Sequence, residues 1–137
     1  MTQDKLLEIE IVTPQEKVFT GMGSSVSLPG SLSSFQVLYN HAPIVSTLDP
    51  GITKVLDESG NKFIFASGPG FAEVRQNKVS VLVENAFNVT DIDISTEKKE
   101  LEETKRTLEK AKSSEDKELI NKKIKEIKNK IKAAETL

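Results

Sequence analysis

Short runs of alternating apolar and polar residues fill the first ninety positions of the chain, and this alternation predicts β-strands. Near the N-terminus, Leu7, Ile9 and Ile11 alternate with glutamates, which is the period of two of a strand with one buried face. Similar runs lie at 26–28, 35–38, 44–48, 52–56, 63–66, 71–75 and 79–84. The segments between them are too short for helices and rich in turn-forming residues, so we predict an antiparallel β-sandwich or barrel rather than parallel βαβ units.

The apolar period changes near residue 94 to that of an amphipathic α-helix. Ile94, Leu101 and Leu108 recur every seven residues, and a second stripe follows after a break at 111–116. The second stripe consists of Ile120, Ile124, Ile127, Ile131 and Ala134. Two helices with one short link predict an α-helical hairpin. Because each stripe is narrow, the hairpin must pack against the β domain or against another protein.

Polar residues predict where these two helices begin. Ser95 is the expected N-cap of the first helix, with Glu97 in the first turn, where a carboxylate suits the helix dipole. Ser113 or Ser114 is expected to cap the second helix.

The composition of the chain divides at the same place. All seven glycines and all five prolines precede residue 91, and charged residues are denser after it. We therefore predict two domains, a β-sandwich domain over 1–90 and a helical domain over 91–137.

The bulk composition also excludes several classes of function. The chain has no cysteine, which excludes disulfides, thiolate nucleophiles and cysteine-ligated metals. No apolar run reaches the roughly 20 residues of a membrane-spanning helix, and the acidic N-terminus is unlike a signal peptide. We therefore expect a soluble intracellular protein. A formal net charge of −2 argues against nucleic acid as a partner, because binding phosphates needs a basic surface.

His41 is the single histidine, and it raises the question of whether the chain is an enzyme. Serines are abundant upstream of it, but the sequence contains no Gly-x-Ser-x-Gly motif. One histidine without cysteines also makes a zinc site improbable. We interpret His41 as a residue that shapes a loop or an interface, and we expect no catalytic residue, no metal and no cofactor.

The second predicted helix is strongly basic. Seven lysines and two glutamates lie between Lys117 and Lys132. Such a run fits either a solvated helix face or a surface that docks on an acidic protein. The docking hypothesis assigns Lys122, Lys123 and Lys125 to that surface.

Three segments, read in order, resemble the epsilon subunit of bacterial F-type ATP synthases. They are FQVLYNHAPIVSTLDPG from Phe35, FIFASGPGFAEVRQNKVSVLVENAF from Phe63 and DIDISTEKKELEE from Asp91. The His-Ala-Pro triplet at 41–43, the Pro-Gly pair at 50–51 and the glycine turn before Glu73-Val74 carry the match. It spans almost the whole chain.

The resemblance implies a ten-stranded β-sandwich followed by an α-helical hairpin. It implies a non-catalytic rotor subunit of the central stalk of a proton-translocating F-type ATP synthase. Such a subunit has no active site of its own. It lies at the cytoplasmic face of the bacterial inner membrane, which it meets only through the complex. The implied partners are the gamma subunit, the c-ring and, through the C-terminal helices, the alpha/beta catalytic head, whose ATP hydrolysis those helices restrain in many members.

In the family, the loop that carries His-Ala-Pro faces the ring and gamma. The interface residues implied there are Phe35, Leu38, His41, Ala42 and Pro43. The basic run of the second helix adds the hypothesis that Lys122, Lys123 and Lys125 are attracted to acidic segments of the catalytic head. Many members have Gly-Glu-Leu-Gly in the ring-facing loop, where this chain has Ser33, Ser34, Phe35 and Gln36. We therefore expect an apolar contact through Phe35 or Leu38 rather than a salt bridge to the ring.

A second departure concerns nucleotide binding. Some members bind ATP through an Ile-Asp-x-x-Arg-Ala motif, and this chain keeps Ile92 and Asp93 but has Thr96 and Glu97 in place of the arginine and the alanine. Because the cation that would meet the phosphates is replaced and a carboxylate is added, we do not carry an ATP site over.

The residues alone leave other functions open. A small-ligand-binding β-sandwich with a helical tail needs aromatic and polar side chains that converge on a pocket, and six phenylalanines and one tyrosine are available. An esterase-like enzyme that uses His41 lacks a nucleophile motif.

Overall fold

The computed structural model describes residues 5–136, which form nine β-strands followed by two α-helices. The strands are β1 (Leu7–Val12), β2 (Lys17–Leu28), β3 (Phe35–Val37), β4 (Ile44–Leu48), β5 (Gly51–Asp57), β6 (Lys62–Ser67), β7 (Gly70–Arg75), β8 (Lys78–Val83) and β9 (Ala86–Asn88). A 3-10 turn at Val89–Asp91 leads into α1 (Ile94–Lys110) and α2 (Ser114–Glu135). The predicted order of β domain and helices is confirmed, with nine strands against about ten expected.

Hydrogen bonds order the strands β4-β7-β8-β1-β2-β5-β6-β9, and β3 pairs with β2. All pairs are antiparallel except β1 and β8, which run parallel in the register Glu8↔Lys78 to Val12↔Leu82. The expected antiparallel sheet is confirmed apart from this pair. It joins the first strand to the last long one, and a pairing between such distant parts of the chain leaves no mark on local periodicity.

The sheet folds around one core that draws alternate residues from eight strands. Along β1, Leu7, Ile9 and Ile11 are fully buried while Glu8 is exposed, as the alternation predicts. The rest of the core consists of Val26, Leu28, Val37, Leu48, Val55, Phe65, Ala72, Val74, Val79, Val81 and Val83.

The strand β2 is longer than its apolar pattern indicates, because it begins at Lys17 rather than near Val26. The glycines at 21 and 23 interrupt the apolar alternation in the first half of this strand. A Cβ on Gly23 would lie 2.5 Å from the carbonyl oxygen of Leu56, so close contact with β5 requires glycine there. The pairing of β2 with β5 shifts register between Gly23 and Ser25.

The helix α2 packs on the outer face of β5 and β6, and α1 packs on α2. Ala133 of α2 is fully buried in an apolar cluster with Ile64, Ala66 and Val89. Because alanine is small, the helix backbone comes close to the sheet at this point.

The caps of the two helices differ in how well they were predicted. Asp93, and not Ser95, is the N-cap of α1, and its Oδ1 accepts a hydrogen bond from the Thr96 amide at 3.2 Å. The helix therefore begins at Ile94, one residue after Asp93. The Asp93 carboxylate, two residues before the predicted cap Ser95, already accepts a hydrogen bond from a free amide of the first turn. Ser113 caps α2 as predicted, accepting a hydrogen bond from the Asp116 amide at 3.1 Å.

Candidate interaction surfaces

One end of an outer face of the sheet carries an apolar patch that is exposed to solvent. Phe71 of β7 and Leu82 of β8 are paired in register and are 47% and 42% exposed. Val12 of β1 pairs with Leu82 and continues the row. Val45 of β4 is 69% exposed and pairs with Glu73, two residues along β7 from Phe71. We call Val12, Val45, Phe71 and Leu82 the open face. It lies on the half of the sandwich that α2 does not cover.

The loop at 38–43 leads directly into β4 and carries four of the eight predicted interface residues. Leu38 is 52% exposed, and Ala42 and Pro43 are exposed as well, whereas Phe35 and His41 are half-buried. The ring centroids of Phe35 and His41 are 6.5 Å apart. The structure therefore brings these five residues together at one corner of the sandwich.

Hydrogen bonds hold this loop in shape. The His41 Nδ1 lies 2.7 Å from the Ala42 carbonyl oxygen, and the His41 amide donates to the Leu38 carbonyl at 3.1 Å. Asn40 has a φ of +64°, a conformation that asparagine tolerates better than most residues, and its amide donates to the Asn77 side chain at 2.6 Å. The position of His41 fits the loop-shaping role that we predict for it.

The three predicted lysines of α2 are exposed, and two of them form ion pairs within the chain. Lys122 Nζ lies 3.4 Å from the Glu84 carboxylate on the sandwich. Lys123 Nζ lies 3.6 Å from the Glu100 carboxylate on α1 and 3.8 Å from that of Glu126. With the hairpin docked, part of the basic run is therefore already paired with acids of its own chain.

The stretch that matches the family's ATP motif has structural roles here. Asp93 caps α1, and Ile92 packs against the apolar cluster beneath α2. Glu97 turns inward, with its side chain only 13% exposed, and its Oε1 lies 3.6 Å from the Nζ of Lys130. That Nζ also lies 3.9 Å from the centroid of the Phe87 ring.

The sequence pattern predicts neither the open face nor the sheltered position of Lys130. A signal for the open face exists, because Phe71 and Leu82 occupy the outward phase of their strands, where a solvated sheet would have polar residues. Lys130 could not be distinguished in sequence from the other lysines of the basic run, because its burial depends on where α1 and β9 pass.

The turn between β5 and β6 holds the one titratable group with a clear shift among residues 5–136. Desolvation raises the pKa of Asp57, but hydrogen bonds from the Asn61 amide at 2.8 Å, the Asn61 side chain at 3.2 Å and the Ser59 amide at 2.9 Å outweigh it. The pKa of this carboxyl therefore lies below its ordinary value.

Within 5–136, no cluster of three or more His, Asp or Glu side chains is arranged to hold a metal ion. Neither α1 nor α2, the two helices of this range, is long and apolar enough to cross a membrane.

Comparison with known proteins identifies the family to which this sandwich and these helices are similar. Residues 6–89 match the family model described as ATP synthase, Delta/Epsilon chain, beta-sandwich domain. The chain is 41% identical over 103 residues to the ATP synthase epsilon chain of Campylobacter curvus, covering 75% of this chain and 80% of the relative. It is 37% identical over 119 residues to that of Leptospira borgpetersenii, covering 87% and 90%.

A solved structure has the same fold. A chain of the Euglena gracilis mitochondrial ATP synthase superposes with a TM-score of 0.72 at 22% identity, covering 85% of this chain and 73% of that chain. The family model covers the sandwich, and the relatives, whose alignments extend into the helices, carry names of the same family. The chain therefore belongs to the delta/epsilon family of ATP synthase subunits.

Proposed function

We propose that this protein is a non-catalytic rotor subunit of an F-type ATP synthase, which joins the gamma subunit to the c-ring and restrains ATP hydrolysis through its C-terminal hairpin. The observation that carries this proposal is the division of the sandwich surface. One half is covered by the chain's own helices, whereas the other half presents the exposed apolar patch of the open face. Exposed apolar patches on a soluble domain mark sites of association.

The open face and the loop at 38–43 form one continuous surface for partners. They meet at β4, since the loop ends where this strand begins and Val45 lies one residue inside it. We assign the open face to gamma and the loop to both gamma and the c-ring. Leu38, Ala42 and Pro43 are the exposed residues that would make apolar contact there, and His41 and Phe35 would fix the conformation of the loop.

The hairpin is assigned to regulation. It contacts the sandwich through α2, whereas α1 has no buried residue in the described chain. The buried residues of α2 are Ile124, Ile127, Ile131, Ala133 and Ala134. Lifting the hairpin away leaves the main core of the sandwich closed, since that core contains no helix residue among those that the structure describes. An element that packs outside the main core suits a two-state switch. When released, Lys122 and Lys123 would exchange Glu84 and Glu100 for acidic residues of the catalytic head.

The protein would then be peripheral, at the cytoplasmic face of the bacterial inner membrane, and would have no active site of its own. The alternative of a small-ligand-binding sandwich receives less support. Phe19, Phe63 and Phe65 pack on one another, with centroid distances of 5.1 Å and 6.3 Å. These rings thus contribute to the core rather than converge on an open site.

The direct test is complex formation with the gamma subunit, followed by size-exclusion chromatography with light scattering. We expect a one-to-one complex with the unaltered chain and none with Phe71→Glu, because a carboxylate would have to be buried without a partner at the centre of the open face. Leu119→Glu is the matched control, since Leu119 is 68% exposed on the hairpin, and this variant should bind normally. No complex with the unaltered chain would contradict the rotor assignment and favour ligand binding.

The regulatory part of the proposal has a separate test. ATP hydrolysis by the reconstituted complex should rise when Lys122, Lys123 and Lys125 are all replaced by alanine, because the released hairpin would lose its attraction to the catalytic head. Lys62→Ala, on the exposed part of the sandwich, is the control. Inhibition that stays unchanged in the triple variant would contradict this role for the lysines.

A further inference from the structure

Lys130 is the point at which α1, α2 and the sandwich meet through one charged group. Its ammonium lies 3.6 Å from the Glu97 carboxylate of α1 and 3.9 Å from the centroid of the Phe87 ring of β9. The side chains of Lys130 and Glu97 are 14% and 13% exposed. In the other ion pairs of the described chain at least one partner is more than 40% exposed.

This difference in exposure decides which ion pair holds the hairpin. Exposed pairs contribute little, because water screens the attraction and ordering two long side chains costs entropy. The Glu97–Lys130 pair is sheltered from water, so its attraction is screened less, and losing one partner would leave the other charge poorly solvated. The Phe87 ring adds a cation–π contact on the side of the ammonium toward the sandwich.

Glu97 depends on Lys130 more than most carboxylates depend on an ion-pair partner. Among residues 5–136, the Glu97 Oε1 is the buried side-chain polar atom without a hydrogen-bond partner, and the ammonium at 3.6 Å is its nearby counter-charge. While α2 shields this carboxylate from water, the Lys130 ammonium compensates for the hydration that it has lost, so removing Lys130 destabilises the docked state. The first turn of α1 is therefore energetically tied to the docking of α2.

We propose that Glu97, Lys130 and Phe87 form a latch that makes both helices of the hairpin dock and release together. The latch deepens the proposed regulation and rests on it, since it sets the equilibrium between docked and released hairpin. Lifting α2 from β9 removes the ring from Lys130, and separating α1 from α2 removes the counter-charge. Each helix is therefore held more tightly while the other is in place. Because both charges come from the chain itself, the latch needs no bound ligand.

The latch can be tested in the full chain by measuring a distance across the docking interface. Because the chain has no native cysteine, cysteines introduced at Ser59 in the β5–β6 turn and at Lys112 between the helices can be labelled specifically. The fraction of molecules with the hairpin away from the sandwich is then read from the distance distribution between the labels. Melting of the sandwich reports separately whether each variant is folded.

We expect Lys130→Gln and Glu97→Gln each to raise the ratio of undocked to docked hairpin by about tenfold. Phe87→Leu, which keeps apolar contact but removes the ring, should raise it by about threefold. The matched control is the exposed pair of α1 and α2, where Lys123→Gln should raise it by no more than about twofold. The double variant E97Q/K130Q should be no more undocked than either single variant, because the two residues act through one interaction.

Two results would overturn these inferences in different ways. If Lys130→Gln has no more effect than Lys123→Gln, or if the effects of E97Q and K130Q simply add, the latch is wrong while the two-state hairpin stands. If no variant shows an undocked population, even one with a disrupted helix–sheet contact such as Ala133→Leu, the proposed two-state hairpin fails and the latch fails with it.

Discussion

Replacing Ala133 by leucine should release the hairpin without unfolding the sandwich. The Ala133 side chain is fully buried against Ile64, Ala66 and Val89, so a leucine would bring three more carbon atoms into a closed contact. Overpacking of this kind costs roughly 1–3 kcal/mol. Because α2 can lift away from the sheet, the cost falls on docking. At about 1.4 kcal/mol per factor of ten, the docked fraction relative to the undocked should fall roughly 5- to 150-fold.

Hydrogen exchange measured by mass spectrometry resolves the two parts of the chain. In Ala133→Leu, the amides of α2 should exchange faster by about the same factor, whereas those of β1 and β8, which pair inside the sandwich, should exchange as in the unaltered chain. Lys128→Leu is the control, because Lys128 is exposed on the same helix and the substitution adds apolar volume without a closed contact.

Two outcomes would refute this reasoning. If the amides of β1 and β8 accelerate together with those of α2, the hairpin and the sandwich form one cooperative unit. If exchange in α2 is unchanged, the contact has room for a larger side chain and Ala133 does not set the approach of the helix to the sheet.

Three further predictions concern the sandwich and its ligands. Gly70→Ala should destabilise the sandwich by about 3 kcal/mol or more in thermal denaturation, because the new Cβ would clash with the Leu82 carbonyl oxygen of the paired strand. Gly21→Ala, whose Cβ would have ordinary contacts from 3.5 Å, should be tolerated. The pKa of Asp57 is depressed in the folded state, so its contribution to stability is present above its unfolded pKa and is lost as pH falls below about 4; Asp57→Asn should remove that part of the pH dependence of urea unfolding. Calorimetric titration with Mg-ATP should show no saturable binding, since the motif's aspartate already caps α1.

The sequence predicted the type of each element where burial has a simple period. The alternation in β1 matches its buried face. The three- and four-residue spacing in α2 matches the buried residues from Ile124 onward, because neighbouring elements cover one side of that part of the helix. The N-cap of α1 and the start of β2 were misplaced. Several polar residues before α1 could cap it, and the hydrogen bond from the Thr96 amide selects Asp93. The glycine-rich start of β2 could be a loop or a strand, and its pairing with β1 makes it a strand.

The candidate surfaces divide in the same way. His41 and its loop could be singled out from sequence, because a lone histidine in a His-Ala-Pro triplet is recognisable as a string of residues. The open face could not be assigned as a surface, because only β7 and β8, which carry Phe71 and Leu82, form a local hairpin. Val12 and Val45 join them through long-range pairing of β1 with β8 and of β4 with β7.

The sequence by itself therefore determined the order of strands and helices and the family, since both depend on residues that are neighbours along the chain. Only the tertiary structure decided which lysine of the basic helix is sheltered and which apolar residues stay exposed. Lys130 differs from Lys122, Lys123 and Lys125 because α1 brings Glu97 over it and β9 places Phe87 beneath it. Burial of a charge is a property of the surrounding chain, and the residue alone does not encode it.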